Sequence, residues 1–226
     1  HLKNNIENFM ALAIFDLDNT LISNDSDYLW GEFLIKNGHI DAKEFAKQNA
    51  QFFEDYKNGT LDIVAYQRFA LKPLGEQSAE TLAAWHKDFM QTFIEPIVLP
   101  KALDLVEEHK AKGDRVMIIT ATNTFVTRPI GLRYGIDELL GTEGEIINGR
   151  YTGEIKGVPT FQAGKVTRLN EWLKQENETL KGSFFYSDSF NDLPLLEVVD
   201  NPVVVDGDEK LQAIAKENGW PTISLR

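Results

Sequence analysis

Cysteine is absent from the 226 residues of this chain. Without a thiol it can build neither a disulfide framework nor a thiolate metal site, which fits a cytoplasmic protein. Also missing is any apolar run long enough to span a bilayer, so no membrane association is expected. Residues 1–9 are polar and lack the apolar centre of a signal peptide. Met10 therefore reads as the natural start, with residues 1–9 an extension or tag remnant. Positive charge is scarce: 23 Lys and Arg stand against 35 Asp and Glu, a formal net charge of −12. Such a surplus repels nucleic acid and acidic membrane surfaces at long range, so neither is an expected partner. No low-complexity tract or internal repeat is found, and the length suits one core domain with a modest insertion.

The chemistry that is present gathers at the ends of apolar runs. Ala11 to Phe15 reads as a strand buried in a parallel sheet, and it ends abruptly in Asp16-Leu17-Asp18-Asn19-Thr20. The edge beyond such strands is where α/β proteins hold ligands. Residues two apart on an extended backbone point the same way, so Asp16 and Asp18 should present two carboxylates to one small volume. Like charges at that range call for a cation or a shared proton. An Asp so placed can be a metal ligand, a nucleophile or a proton carrier. The pattern recurs along the chain. Thr120 follows Val116-Met117-Ile118-Ile119, Ser187-Asp188-Ser189-Phe190-Asn191-Asp192 follows Phe184-Phe185-Tyr186, and Lys165 stands at the head of an amphipathic segment.

Between the first two strands, residues 26–95 carry helical periodicity in four segments, punctuated by Asn58-Gly59 and by Lys72-Pro73-Leu74-Gly75. A helical cap over residues 25–95 is thus expected, with an α/β core from 10–24 and 96–226. Pro100 to Lys112 predicts a helix, Arg115 to Ile119 a strand, and residues 145–156 around Asn148-Gly149 a β-hairpin flap. Lys165 to Gln175 predicts a helix, Ser183 to Tyr186 a strand, Leu193 with Pro194 the start of a short helix, and Pro202 to Val205 a strand. A last helix carries Leu211, Ile214 and Ala215, and Thr222 to Leu225 closes the sheet. Strand and helix in alternation give a doubly wound parallel sheet, a Rossmann-like α/β fold.

The order and spacing of these motifs from Asp16 to Asp192 resemble the haloacid dehalogenase superfamily. The likeness is to its phosphoserine-phosphatase-like branch, close to bacterial members that include histidinol-phosphatase-like proteins. The resemblance implies a Mg²⁺-dependent phosphomonoesterase working through an aspartyl phosphate. It implies that Asp16 is the nucleophile and Asp18 the acid and base, that Thr120 and the Ala121 backbone contact the phosphoryl oxygens, that Lys165 holds Asp16 ionised and neutralises the transferring group, and that Asp16, Asp18 through its carbonyl and Asp188 hold the metal. Asn191 and Asp192 then orient Lys165 and metal-bound water, and Asn191 also counts among the substrate-binding residues. Two departures are visible, Ser187 and Ala121 where relatives often carry Gly.

Substrate choice falls on Asp25, seven residues after Asp18, and on Arg68 in the cap. An Arg can clamp a carboxylate and an acid can accept an ammonium, so the pair suits phosphoserine, with histidinol phosphate as the rival that lacks the carboxylate. Tyr28 and Trp30 could stack on an imidazole, though helix packing is their default role. His39, His86 and His109 read as structural. A phosphotransferase or mutase, a broad sugar or nucleotide phosphatase, and a non-catalytic metal or phosphate module are the competing functions. Monomer and homodimer are equally compatible with the sequence, and the pathway, amino-acid biosynthesis by resemblance, is not fixed by it.

Overall fold

The computed structural model describes residues 10–226; the reading of residues 1–9 as an extension lies outside the described residues. Strand β1 (Leu12–Phe15) is buried along its whole length. Its alternation divides the core: Ala13 and Phe15 join one apolar layer, Leu12 and Ile14 the other. Helices follow as α1 (Ser26–Lys36), α2 (Ala42–Asn58), α3 (Ile63–Gly75) and α4 (Ala79–Phe89), then a π-helical turn Met90–Ile94 and a 3-10 turn Glu95–Ile97. Each helix starts where a side chain can take an orphan backbone N–H. Asp25 accepts from Tyr28, Asp41 from Lys43, Asp62 from Ala65 and Ser78 from Thr81. The chain leaves and re-enters the sheet region at one place, where Ile22 bridges Val98 and Ser23 N–H donates to the Ile97 carbonyl at 3.1 Å.

The rest of the chain runs α5 (Pro100–Ala111), β2 (Arg115–Asn123), α6 (Thr124–Arg133), β3 (Glu138–Ile147), β4 (Arg150–Lys156), α7 (Ala163–Glu176), β5 (Phe184–Ser187), α8 (Leu193–Leu196), β6 (Asn201–Val205), α9 (Glu209–Asn218) and β7 (Thr222–Ile223). Among the described residues these strands form one sheet in the order β4-β3-β2-β1-β5-β6-β7, all parallel except β4. From β1 the chain winds outward to β2 and β3 on one side, then returns to β5, β6 and β7 on the other. The reversal leaves a crevice beyond the carboxyl ends of β1 and β5. Asp16 to Thr20 and Asp188 to Asp192 sit at those two ends.

The expected doubly wound sheet is present, and so is the hairpin. Asn148 (φ 53°) and Gly149 (φ 77°) make the turn between β3 and β4, with both residues in the left-handed region that a tight two-residue hairpin requires. Three local expectations differ. Strand β2 continues past Ile119 to Asn123 through an irregularity in its pairing with β3, so Thr120 lies within the strand. Helix α6 and the first half of β3 carry too mixed a pattern to announce themselves, with Pro129 and Gly131 inside the helix. Helix α3 runs through Pro73 rather than stopping before it. Leu71 and Leu74, both fully buried, fix the last turn from either side of the proline and offset the one backbone bond it forgoes.

Helices α1 and α4 share the core layer of the sheet, through Trp30, Phe33, Leu34, Leu82 and Phe89. Helix α2 differs: Asn49 is its one fully buried residue. Its half-buried Phe52, Phe53 and Tyr56 face a cavity instead of a packed core.

Candidate active site

The loop after β1 is wound tightly. The Leu17 carbonyl collects the N–H groups of Thr20, Leu21 and Ile22, and Asp16 N–H donates to the Tyr186 carbonyl at 2.9 Å. This tethers Asp16 to the neighbouring β5 and places Asp16 and Asp18 on the same cavity, as their spacing predicts. Both oxygens of Asp18 are held: Oδ1 accepts from Ser26 N–H at the start of α1 (2.7 Å) and Oδ2 from the Thr122 hydroxyl (2.7 Å). A carboxylate engaged from two sides has one orientation.

Lys165, third residue of α7, reaches back beneath the sheet edge. Its Nζ lies 3.1 Å from Asp16 Oδ1, 2.8 Å from Asp192 Oδ1 and 3.2 Å from the Ile119 carbonyl. Asp192 is steered in turn by the Ser187 hydroxyl, which donates to Oδ2 at 2.6 Å. Ser187, the departure from glycine, thus orients the acid that holds the lysine. Asp192 stands at the N-cap position of α8 but its side chain makes no capping hydrogen bond; Ser189 takes the turn's N–H from Asn191. Asp188 accepts the Thr20 hydroxyl at 3.0 Å and shares a hydrogen bond with Asp16.

The electrostatics of this floor are short of positive charge. Burial pushes the Asp16 carboxyl up to about 7, with Lys165 pulling it down and Asp192 and Asp18 adding to the rise. Burial, then the adjacent Asp16, lifts Asp188 well above the usual carboxylate range. Burial, then Asp18, does the same to Asp25. At Lys165 burial opposes the charge, but Asp16 and Asp192 outweigh it and the ammonium titrates above its ordinary value. Lys165 is the one cationic side chain among the described residues lining the cavity.

At the end of β2 the structure places Ala121 and Thr122 in the cavity floor and Thr120 behind them, fully buried, its hydroxyl accepting from Thr122 N–H at 3.1 Å. The Ala121 carbonyl is fixed by Gln67 of α3 and by the Thr142 hydroxyl, each at 2.9 Å. Asn191 lines the cavity and bridges two segments: its amide donates to the Tyr56 carbonyl and its oxygen accepts from Gln162, each at 3.0 Å. The end of α2 can come this close because Gly59, at φ 71°, has no side chain; a Cβ there would meet the Phe190 ring at 2.7 Å.

Thr120 and Asp188 stand just behind the cavity lining, and one expected residue is remote from it. Arg68 is exposed on the outer side of α3, paired with Glu154 of β4 at 3.1 Å, and does not line the cavity. The cause is helical phase. Ile63, Tyr66 and Gln67 turn inward, and Arg68, one residue or about 100° further round, turns out. Asp25 does line the cavity, with Oδ1 accepting from Tyr28 N–H at 2.8 Å. Tyr28 lines it too, whereas Trp30 is packed among Phe33, His86, Phe89 and Phe125. None of the three histidines reaches the cavity: His39 stacks on Trp85, His86 bonds the Val126 carbonyl, and His109 sits between Asp114 and Tyr186.

Sequence reasoning missed most of the wall. Asn49, Phe52, Phe53, Tyr56, Tyr66 and Phe161 line it. The available signal was the polar tip on Tyr28, Tyr56 and Tyr66, at helical spacing within otherwise apolar stripes. No helix among the described residues is long and apolar enough to cross a membrane.

The profile of the haloacid dehalogenase-like hydrolases matches residues 13–197. A histidinol-phosphatase of Neisseria meningitidis is 47% identical over 219 residues, covering 95% of this chain and 99% of that protein. Phosphoserine phosphatase SerB1 of Mycobacterium tuberculosis is 30% identical over 96% of this chain and 71% of its own length. A crystal structure from Bordetella pertussis, of a protein described as having unknown function, superposes with a TM-score of 0.91 at 42% identity, covering 96% of this chain and all of that one.

Proposed function

The chain belongs to the haloacid dehalogenase-like hydrolase family and is a phosphatase, and on that premise we propose that it hydrolyses a small amino-alcohol phosphate bearing a ring but no carboxylate, histidinol phosphate above phosphoserine. One observation carries this choice. The cavity offers Asp25, with no cationic partner among the described residues, and an aromatic wall, while Lys165 is committed to Asp16 and Asp192. A substrate carboxylate finds no guanidinium here, because Arg68 faces outward. A substrate ammonium finds a buried acid, and a planar ring finds Tyr28, Phe52 and Phe53.

In the reaction an Asp16 oxygen attacks phosphorus, forming the aspartyl phosphate as the ester P–O bond breaks. Asp18, aimed by Ser26 N–H and Thr122, gives its proton to the departing alkoxide. It then takes a proton from water, whose oxygen attacks phosphorus, releasing phosphate and restoring the Asp16 carboxylate. Lys165 favours the ionised form of Asp16 and balances the transferring group. The Ala121 backbone N–H faces the phosphoryl oxygens, while Thr120, buried behind the lining, takes the Thr122 N–H and so positions that turn of chain rather than touching the phosphoryl group.

The donor set fits Mg²⁺. Burial raises Asp16 and Asp188 alike, the charge of Asp16 raises Asp188 further and those of Asp192 and Asp18 raise Asp16, the condition that a hard divalent cation relieves. No group of three or more acidic, His or Cys side chains suited to a metal occurs among the described residues; Asp16, Asp188 and the Asp18 carbonyl would hold the ion. When bound, the metal supplies charge neutralisation at the phosphoryl group. Phosphate release from histidinol phosphate and from phosphoserine, with and without chelator, tests the reading. Preference for histidinol phosphate with loss of activity in chelator is expected; preference for phosphoserine overturns the substrate choice.

A further inference from the structure

The Asp27–Tyr66 pair takes no part in the chemistry above, yet it is built at some cost. Asp27 in the first turn of α1 is 5% exposed, and no cation is paired with it among the described residues. Its Oδ2 accepts the hydroxyl of Tyr66, which comes from α3, 39 residues later. A carboxyl withdrawn from water for the sake of one phenol needs a reason beyond local stability. Tyr66 also lines the cavity that Asp16, Asp25 and Tyr28 line, and its ring is set edge-on to Phe52 at 5.3 Å.

A phenol has one proton and two lone pairs. With the proton given to Asp27, the oxygen left on the cavity side can only accept. Burial, with Asp27, Asp25 and Asp18 around it, raises Tyr66 well above its ordinary value, so the hydroxyl does not ionise and remains a donor to Asp27. The groups that fit such an oxygen are N–H donors, and best of all those carrying positive charge. Carbonyl and carboxylate oxygens do not fit.

Resting on the substrate reading given above, we propose that Tyr66 is a specificity residue, accepting a hydrogen bond from a ring N–H of the substrate with Asp27 as its positioning residue, while Asp25 takes the ammonium. A ring without an N–H leaves the Tyr66 oxygen buried and unmatched. That kind of mismatch discriminates between substrates more strongly than lost apolar contact does.

The test is the ratio of kcat/KM for histidinol phosphate to kcat/KM for p-nitrophenyl phosphate, whose ring has no N–H. In Tyr66→Phe the ratio should fall about tenfold, mainly through KM for histidinol phosphate. Because this variant strands the Asp27 carboxyl, the ratio is also read for Tyr66→Phe combined with Asp27→Asn, where the same fall is expected without the stranded charge. A change of less than about threefold in the ratio, or equal losses on both esters, overturns the proposal and leaves the substrate reading standing. A wild-type enzyme that cleaves p-nitrophenyl phosphate but not histidinol phosphate overturns both.

Discussion

The floor of the cavity comes from the ends of strands, Asp16 and Asp18 after β1, Ala121 and Thr122 at the end of β2 and Asp192 after β5, whereas its wall comes from α1, α2 and α3. The two are held by different forces. Floor residues are placed by sheet pairing and by hydrogen bonds to neighbouring strand ends, such as Asp16 N–H to the Tyr186 carbonyl. Wall residues are placed by side chains meeting between helices: Tyr28 on Phe53 at 5.0 Å, Phe52 on Tyr66 at 5.3 Å and Tyr66 on Asp27. A sheet edge tolerates little displacement, while a helix such as α2, with one fully buried residue, can exchange its inner face at small cost to the core. One geometry for phosphoryl transfer can therefore serve under walls that choose different alcohols.

If the floor does the chemistry, changes there must cost most and must be blind to the alcohol. Asp16→Asn removes the attacking carboxylate, and kcat should drop by about 10⁴ or more on every phosphomonoester. Lys165→Met keeps the stem and removes the charge, which should lower kcat by about 10² to 10³ on every ester alike. Steady-state phosphate release from histidinol phosphate and p-nitrophenyl phosphate measures both. A floor variant that lost activity on one ester alone would break the comparison.

The floor was legible in the sequence because each of its residues stands at a fixed offset from an apolar run. Ala11–Phe15, Val116–Ile119 and Phe184–Tyr186 are strands by composition, and the polar residues that follow have nowhere to go but the sheet edge. The wall was not legible, since nothing local links Asp27 to Tyr66 across 39 residues and two intervening turns. Arg68 shows how sharp the failure is: a residue of the right chemistry on the right helix is on the wrong side by one step of rotation. Asp25 was legible only through the family resemblance, as the acid seven residues after Asp18; that it also caps α1 is seen in the structure. Helix α6 escaped notice because Pro129 and Gly131 blur its periodicity, although Asn123, accepting from Val126 N–H at 3.0 Å, marks its start.

Wall changes should separate substrates. Asp25→Ala removes the acid assigned to the ammonium, and kcat/KM for histidinol phosphate should fall by about 10² while p-nitrophenyl phosphate falls less. A variant equally impaired on both esters would show Asp25 to be a structural cap only.

The wall also carries a stability signature that can be read apart from the catalytic carboxylates. Burial raises the Asp27 carboxyl to about 7, against an ordinary value of 3.8, with Tyr66 lowering it and Asp18 raising it. Because the folded value is the higher one, the protonated acid favours the fold fully below pH 3.8, and that contribution is lost as pH rises toward 7. Asp27→Asn cannot ionise. It should match the wild type in urea at pH 4 and exceed it at pH 8 by about 1–2 kcal/mol, a discounted share of what such a shift represents. Equal midpoints at pH 8 would mean that Asp27 is accommodated as a carboxylate without penalty.

Arg68→Ala should have the smallest effect. Its guanidinium and the Glu154 carboxylate are both more than half exposed, and a pair in that setting contributes about 0–1 kcal/mol. Since Arg68 points away from Asp16 and Asp25, kcat/KM should change by less than about twofold on histidinol phosphate and phosphoserine alike, with a small loss of stability as the measurable trace. The result decides more than its size suggests. A selective loss on phosphoserine would require α3 to rotate by roughly one residue when substrate binds, turning Arg68 inward and Gln67 out of its bond to the Ala121 carbonyl. That movement would also carry Tyr66 off Asp27, so an Arg68-dependent phosphoserine activity and a Tyr66-dependent histidinol phosphate activity cannot both belong to this arrangement of the helices.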